Sequence, residues 1–300
     1  MSTPSRTSPA TIALLALAAA SGLAHADTPP PNSGMRFVNV AGQADSQHNQ
    51  QALATLSLPV GQHAWVQAGA GKSRDGQQAG GRRPGLVTAA VGMAASSAQI
   101  SVNATHRADG NRYRQTDVGS SLDWKHDGHV VGVDVTHRDS RATGVVASGS
   151  GTAPAQVRVA GTGLGVHGTL QASERVSVYG AVARNHYRST TTTTVPTPAT
   201  PGGLLGLNPV LGGTSVVNRD EAALARNALV GATYRFDKAA VSAEYATGQV
   251  LDNGGTLRSV ELKAAIDVAP GWRLAPGIGR GSNAQAGHAT FASLSATYGW

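Results

Sequence analysis

The charged side chains that could act on a solute are spread along the chain instead of forming a compact motif. In an extended strand, alternate side chains share one face, so widely spaced residues can still form one lining. Charges of both signs that face an enclosed lumen form either a salt-bridged wall or a path for ions and small solutes. Nine residues are predicted to line such a lumen: Arg107, Asp117, Asp134, Arg138, Arg235, Glu244, Glu261, Lys263 and Arg273.

Local motifs for catalysis or cofactor binding are weak. The run His137-Arg138-Asp139-Ser140 has suitable residue types, but neighbours along a strand point to opposite faces. The segment 163–168 matches the dinucleotide pattern G-x-G-x-x-G, yet it lies inside one alternating segment instead of opening a helix. The chain has no cysteine, and its histidines form no H-E-x-x-H motif. We therefore predict no enzymatic activity, no cofactor and no metal site.

The elements that must position the nine residues are strands. From about residue 35, apolar and polar residues alternate in segments of roughly 10 residues or more, separated by turn-forming clusters. Between Ala98 and Arg107, for example, Ile100 and Val102 alternate with Gln99 and Asn103. No segment sustains helical spacing over three turns. The pattern is typical of a membrane barrel, in which one face of each strand meets lipid and the other meets the lumen.

The connections between these segments alternate between short and long. Short connections such as 126–128 alternate with long ones at 72–84, 140–156 and 190–219. Bacterial barrels have tight turns at one rim and long loops at the other. The sequence thus predicts an all-β, antiparallel, up-and-down transmembrane barrel over residues 35–300, with about 14 strands. Twelve strands is the alternative, because the first segment (35–44) does not alternate cleanly, and a soluble β-sandwich is the competing fold.

The start of the chain has the layout of an export signal. Arg6 lies in a short polar region, an apolar run extends from Ala10 to Ala20, and Ala24-His25-Ala26 is a small-x-small cleavage site. We predict a signal peptide at 1–26 and a short periplasmic segment at 27–34. The 24 Lys and Arg against 17 Asp and Glu give a net charge of +7. An exported chain seldom meets nucleic acid, so anionic solutes or lipopolysaccharide are the expected partners.

The last seven residues carry the most specific signal. Leu294, Ala296, Tyr298 and Trp300 alternate with small or polar residues, and the chain ends on an aromatic. This ending resembles the C-terminal strand of bacterial outer-membrane β-barrel proteins, which the barrel-insertion machinery of that family recognises. Aromatic side chains prefer the membrane interface, and six are predicted to lie there, near the short turns or the terminus: Trp124, Tyr234, Phe236, Trp272, Tyr298 and Trp300.

The resemblance implies a porin-like protein of the outer membrane of a Gram-negative bacterium. The expected function is passive diffusion of small hydrophilic solutes through an aqueous lumen. A non-conducting barrel that acts as an adhesin or structural protein through its outer loops is the alternative. The expected partners are outer-membrane lipid and lipopolysaccharide, the insertion machinery, and small solutes, whereas oligomerisation is left open. The five basic residues of the predicted lining would favour anions, and inward glycines would either widen the pore or relieve crowding at strand bends.

A Thr- and Pro-rich segment, from Thr190 to Pro201, is predicted to form an external loop. The apolar residues that follow it, from Leu204 to Leu211, could instead enter the lumen as a constriction. Deleting Thr190 to Val217 is then expected to raise single-channel conductance in planar bilayers. Unchanged conductance would remove the constriction hypothesis.

Overall fold

A computed structural model of the protein describes residues 36–46, 48–74, 84–110, 112–148, 151–193, 224–250, 255–283 and 287–300. The predicted signal peptide, the predicted segment 27–34 and most of the Thr- and Pro-rich segment lie outside these residues. Within the described ranges, no helix is long and apolar enough to span a membrane.

The described residues form one closed antiparallel barrel, in which each strand pairs with the next and the last pairs with the first. The prediction of 14 strands is confirmed. The strands are β1 (Phe37–Asp45), β2 (Gln50–Val60), β3 (Ala64–Arg74), β4 (Gly85–Ala94), β5 (Ala98–Asp109), β6 (Tyr113–His126), β7 (His129–Ser148), β8 (Gly151–Gln171), β9 (Val176–Thr193), β10 (Leu224–Arg235), β11 (Ala239–Val250), β12 (Thr256–Ala269), β13 (Trp272–Asn283) and β14 (Gly287–Gly299).

The two faces of the strands have opposite polarity. On β12, Val260 and Leu262 are 51% and 52% exposed, whereas Glu261 between them is 5% exposed. On this part of β12 the apolar residues therefore point away from the barrel axis, and the acid points toward it. A soluble sandwich would bury its apolar face, so this inversion fits a barrel that is surrounded by lipid.

One rim of the barrel has tight turns and carries both ends of the described chain. Asp127 and Gly128 join β6 to β7 with φ angles of 47° and 79°. Two successive positive φ angles are typical of a type I′ turn, whose twist matches that of the two strands it joins in a hairpin. Glycine adopts the second positive φ angle without strain. We call this edge the short-turn rim. The opposite edge, the long-loop rim, contains the connections 75–84, 194–223 and 251–255.

One predicted boundary is wrong. The long connection predicted at 140–156 is mostly strand, because β7 and β8 stay paired from Ala142↔Val157 up to Ser148↔Gly151. The segment is rich in Gly, Ala and Ser and lacks clean alternation, which suggested a loop. Backbone hydrogen bonds between two strands do not require apolar alternation when neither face is packed on a core.

Candidate functional site

The structure places all nine residues predicted to line a lumen on the inner face of the strands, although their contact with a water-filled channel stays a prediction. The register shows this directly: Arg107 lies opposite Gln115, Asp117 opposite Arg138, and Glu244 opposite Glu261. Gln115, Glu244 and Glu261 are buried. Arg235 and Arg273 lie on the same face near the short-turn rim.

Glycines on the inner face make room for side chains from the strands on either side. A Cβ atom added at Gly231 on β10 would collide with the ring of Tyr179 on β9. Because the position is a glycine, Tyr179 crosses β10, and its hydroxyl donates a hydrogen bond to Glu244 Oε2 on β11 at 3.2 Å. Gly277 on β13 plays the same part between β14 and β12, where Ser293 Oγ donates to Glu261 Oε1 at 3.2 Å.

This arrangement changes the interpretation of the inward glycines. The sequence suggested either open pore space or relief of crowding at bends. Gly92 instead accommodates the Trp65 ring, and Gly279 accommodates the Phe291 ring. The space above these glycines is therefore filled by side chains that lie along the wall, and a glycine count does not measure the width of the lumen.

A carboxylate pair forms one polar cluster on the inner face. Glu244 and Glu261 lie directly opposite each other on β11 and β12 and are 7% and 5% exposed. Lys263 Nζ lies 3.1 Å from Glu261 Oε2 and supplies a counter-charge. Buried carboxylates of this kind need both hydrogen bonds and opposite charge, which Tyr179, Ser293 and Lys263 provide. The cluster stabilises the wall and gives it negative charge.

A histidine clamp joins three strands closer to the short-turn rim. His167 on β8 lies between two carboxylates, with Nε2 2.9 Å from Asp123 Oδ1 on β6 and Nδ1 2.7 Å from Asp134 Oδ2 on β7. Carboxylate oxygens only accept, so both ring nitrogens carry a hydrogen and the ring is a cation. Gly132 on β7 leaves the space in which His167 reaches across to β6. Asp123 and His167 were not among the nine predicted residues.

Two arginine–aspartate pairs complete the charged inner wall. Arg138 Nε donates to Asp117 Oδ1 at 2.7 Å, and its Nη2 donates to Asp117 Oδ2 at 3.1 Å. Arg273 Nε donates to Asp267 Oδ1 at 2.7 Å. The first pair joins β6 to β7 and the second joins β12 to β13. Such bidentate contacts fix the guanidinium plane as well as the charge.

The six predicted interface aromatics lie on the outer surface at the short-turn rim. They are 37% to 55% exposed. Trp272 and Tyr298 have ring centroids 4.8 Å apart, and Tyr298 and Trp300 are stacked at 5.7 Å. Tyr234 and Phe236 form a second pair at 4.8 Å. The rings form clusters on the exterior, and their contact with the membrane interface stays a prediction.

Formal charge is divided unequally between the two faces of the described strands. The outer face carries ten Lys and Arg residues, all toward the long-loop rim, and a single acid, Asp139. The inner face carries more acids than bases. Its acids are Asp45, Asp109, Asp117, Asp123, Asp134, Glu244, Glu261 and Asp267, and its bases are Arg107, Lys125, Arg138, Arg235, Lys263 and Arg273, with His167 in addition. The positive charge of the described strands thus lies mainly on their outer face.

Comparison with known proteins supports the fold and not a more specific identity. No family model and no curated protein matches the sequence. Among solved structures, the CymD monoaromatic hydrocarbon channel is similar with a TM-score of 0.56 and 10% identity over 89% of this chain and 88% of that chain. The TodX deltaS2S3 mutant monoaromatic hydrocarbon channel, whose parent protein is from Pseudomonas putida, gives 0.50 and 14% over 89% of each.

The fold, the inverted polarity and these likenesses agree. The closed antiparallel barrel is a fold of outer-membrane channels, and its apolar exterior fits a barrel that is surrounded by lipid. The chain has the fold of the bacterial outer-membrane β-barrel proteins.

Proposed function

We propose that the protein is a channel for passive diffusion of small hydrophilic solutes across the outer membrane. The observation that carries this proposal is the inner wall, where ionised and hydrogen-bonded side chains recur from Arg138–Asp117 through His167 to Arg273–Asp267. Barrels of about eight strands are filled by their side chains, whereas those of 16 or more leave an aqueous channel. A barrel of 14 strands with a charged inner wall is suited to a narrow, wet passage.

The inner wall favours cations over anions. The sequence suggested that the five basic residues of the lining would favour anions, with four acids (Asp117, Asp134, Glu244 and Glu261) supplying the opposing sign. On the described inner face, eight carboxylates stand against six Lys and Arg, with His167 in addition. Rings of side-chain carboxylates favour cation passage. Because most of these acids are paired with bases, we expect the preference to be weak.

Planar-bilayer recording tests the proposal. Refolded protein is expected to give discrete conductance steps, and a tenfold KCl gradient is expected to give a reversal potential of the sign that marks cation preference. Asp134→Asn should reduce that potential because its carboxylate is 36% exposed on the inner face. Arg258→Gln, which changes an outward side chain, serves as the control.

Two results would contradict parts of the proposal. Folded protein without discrete steps would favour the non-conducting adhesin or structural barrel. A reversal potential of the opposite sign would leave the channel in place and refute the cation preference alone.

A second candidate function follows from an apolar patch on the inner face toward the long-loop rim. Leu53, Leu86, Leu257 and Phe291 lie there and are at most 7% exposed. The two similar channels are named for monoaromatic hydrocarbons. A vesicle assay that compares the uptake of toluene with that of a small sugar distinguishes the candidates. Faster protein-dependent entry of toluene would favour passage of apolar solutes, and faster entry of the sugar would favour the hydrophilic channel.

A further inference from the structure

Arginines lie directly opposite one another on the outer surface of the barrel. Arg114 on β6 pairs with Arg141 on β7, and Arg141 pairs in turn with Arg158 on β8. The pair Arg184–Arg226 on β9 and β10 is separate from this row, because Arg184 lies opposite Leu164, six residues along β8 from Arg158. We call Arg114, Arg141 and Arg158 the outer arginine patch. Directly opposed side chains in antiparallel strands have Cβ atoms about 5 Å apart, and like charges at that spacing destabilise a sheet.

The outer face of the described strands supplies too little negative charge to balance the patch. Asp139 is the one acidic residue on the outer face of the strands in the described ranges. It accepts hydrogen bonds from Arg158 Nε at 3.0 Å and from Arg158 Nη2 at 2.8 Å, and it lies 3.9 Å from Arg141 Nη2. One carboxylate thus contacts two of the three guanidinium groups of the patch. The outer face of the described strands holds no further acid that could balance the remaining positive charge.

The depth of the patch identifies the kind of anion. Ten residues separate Trp124, at the short-turn rim, from Arg114 on the same face of β6. This separation is about 34 Å along the strand, or roughly 26 Å along the membrane normal at a tilt of about 40°. The apolar band of an outer-membrane barrel is about 25 Å tall. The aromatic rings and the arginines therefore lie at opposite edges of that band.

The outer surface becomes largely apolar from the patch toward the short-turn rim. Val118, Val135, Leu164 and Val182 are exposed there on β6 to β9. A ligand that covers both regions needs an anionic head and hydrocarbon chains. Guanidinium groups bind phosphate in a bidentate manner, with charge-assisted hydrogen bonds.

We propose that the outer arginine patch binds the phosphate groups of an outer-leaflet lipid, whose acyl chains cover the apolar surface of β6 to β9. His137 and Thr162, whose Nδ1 and Oγ1 atoms are 3.2 Å apart, lie beside the patch and offer further polar contacts to the headgroup. A soluble phosphate would neutralise the arginines but leave the adjoining apolar surface uncovered. The occupant is therefore a phosphorylated lipid and not free phosphate.

Lipid titration with native mass spectrometry tests the proposal on folded protein in a zwitterionic detergent. The probes are bisphosphorylated lipid A, the same lipid without phosphate, and inorganic phosphate. The variant is Arg114→Gln/Arg141→Gln/Arg158→Gln. The control, Lys72→Gln/Arg74→Gln/Arg280→Gln, removes the same formal charge from the same rim and leaves the patch intact. We expect the patch variant to bind bisphosphorylated lipid A roughly 10- to 100-fold more weakly, and the control to bind it within about threefold of wild type.

Three results would refute the proposal. Equal losses in the two triple variants would indicate nonspecific charge attraction, and equal affinity for the lipid without phosphate would indicate binding through the acyl chains. Displacement of lipid A by millimolar inorganic phosphate would identify a free-anion site instead. If the triple variant does not fold, the single variant Arg141→Gln tests the proposal instead. Without lipid, this variant should resist urea at least as well as wild type, because repulsion between arginines is removed. Lipid A should stabilise this variant against urea less than it stabilises wild type.

Discussion

Replacing Gly161 with valine is expected to lower the free energy of unfolding of the barrel by about 3 kcal/mol. Gly161 lies on the inner face of β8, where an added Cβ would overlap the backbone carbonyl oxygen of His186 and approach Tyr187 Cα at 2.7 Å. Backbone atoms of a paired strand cannot rotate away as a flexible side chain does. The valine would therefore force β8 and β9 apart and weaken hydrogen bonds along that part of the sheet.

Gly42→Val is the matched control for this change. Gly42 lies on the outer face of β1, and the nearest atom to an added Cβ is the carbonyl oxygen of Gln51 at 3.7 Å. The same substitution is therefore expected to change stability by less than about 0.5 kcal/mol. Urea unfolding of both variants in one detergent, followed by tryptophan fluorescence, measures the difference. Equal stability of the two variants would show that the close approach of β8 and β9 does not constrain residue 161.

Much of the fold could be predicted because successive side chains of a membrane-barrel strand point alternately to lipid and to the lumen. This alternation gives the sequence a repeat of two residues. The alternation around Glu261 and Val260 is enough to separate an inner from an outer face, since each strand must present apolar side chains to lipid. The final strand, with Tyr298 and Trp300 at the same parity, identifies the class. These are local properties, and a single sequence contains them.

The contacts between strands could not be predicted in the same way. The pairing of Tyr179 with Glu244 depends on the register of β9, β10 and β11, and on a glycine at the one position between them. Register is set by turn geometry and by packing over many residues. The alignment of Arg114, Arg141 and Arg158 into one row has the same origin. The sequence placed Arg141 in a predicted connection at 140–156, and the adjacency of the three arginines appears only in the assembled sheet.

The charge of the chain shows why composition alone is a poor guide to function. A net charge of +7 suggested attraction to anionic solutes or to lipopolysaccharide. In the folded barrel the excess of Lys and Arg is on the outer face, and the inner face has an excess of carboxylates. Electrostatic selection in a channel depends on the charges that face the solute. The sign of the net charge therefore does not give the sign of the charge that faces the lumen.

Replacing His167 with leucine is expected to lower the free energy of unfolding by about 2 to 3 kcal/mol. Side chains of His167, Asp123 and Asp134 are 18%, 15% and 36% exposed, so they are partly shielded from water. Removing the cation from a buried ion pair costs about 3 to 5 kcal/mol because uncompensated charge remains, and the partial exposure reduces that cost here. Asp123 and Asp134 would then repel each other across β6 and β7.

A rescue variant separates this charge effect from a loss of packing. In Asp123→Asn/Asp134→Asn/His167→Leu no charge is left unpaired, so most of the lost stability is expected to return. This follows because replacing a complete buried ion pair by neutral groups often changes stability little.

His106→Leu is the control. His106 is exposed on the outer face, with Nδ1 2.9 Å from Thr116 Oγ1. Its replacement should lower the free energy of unfolding by less than about 0.5 kcal/mol. Urea midpoints in the same detergent measure all three variants. A rescue variant as unstable as His167→Leu would assign the loss to packing, and the role of His167 would then be to fill space between β6 and β8, not to hold two carboxylates together.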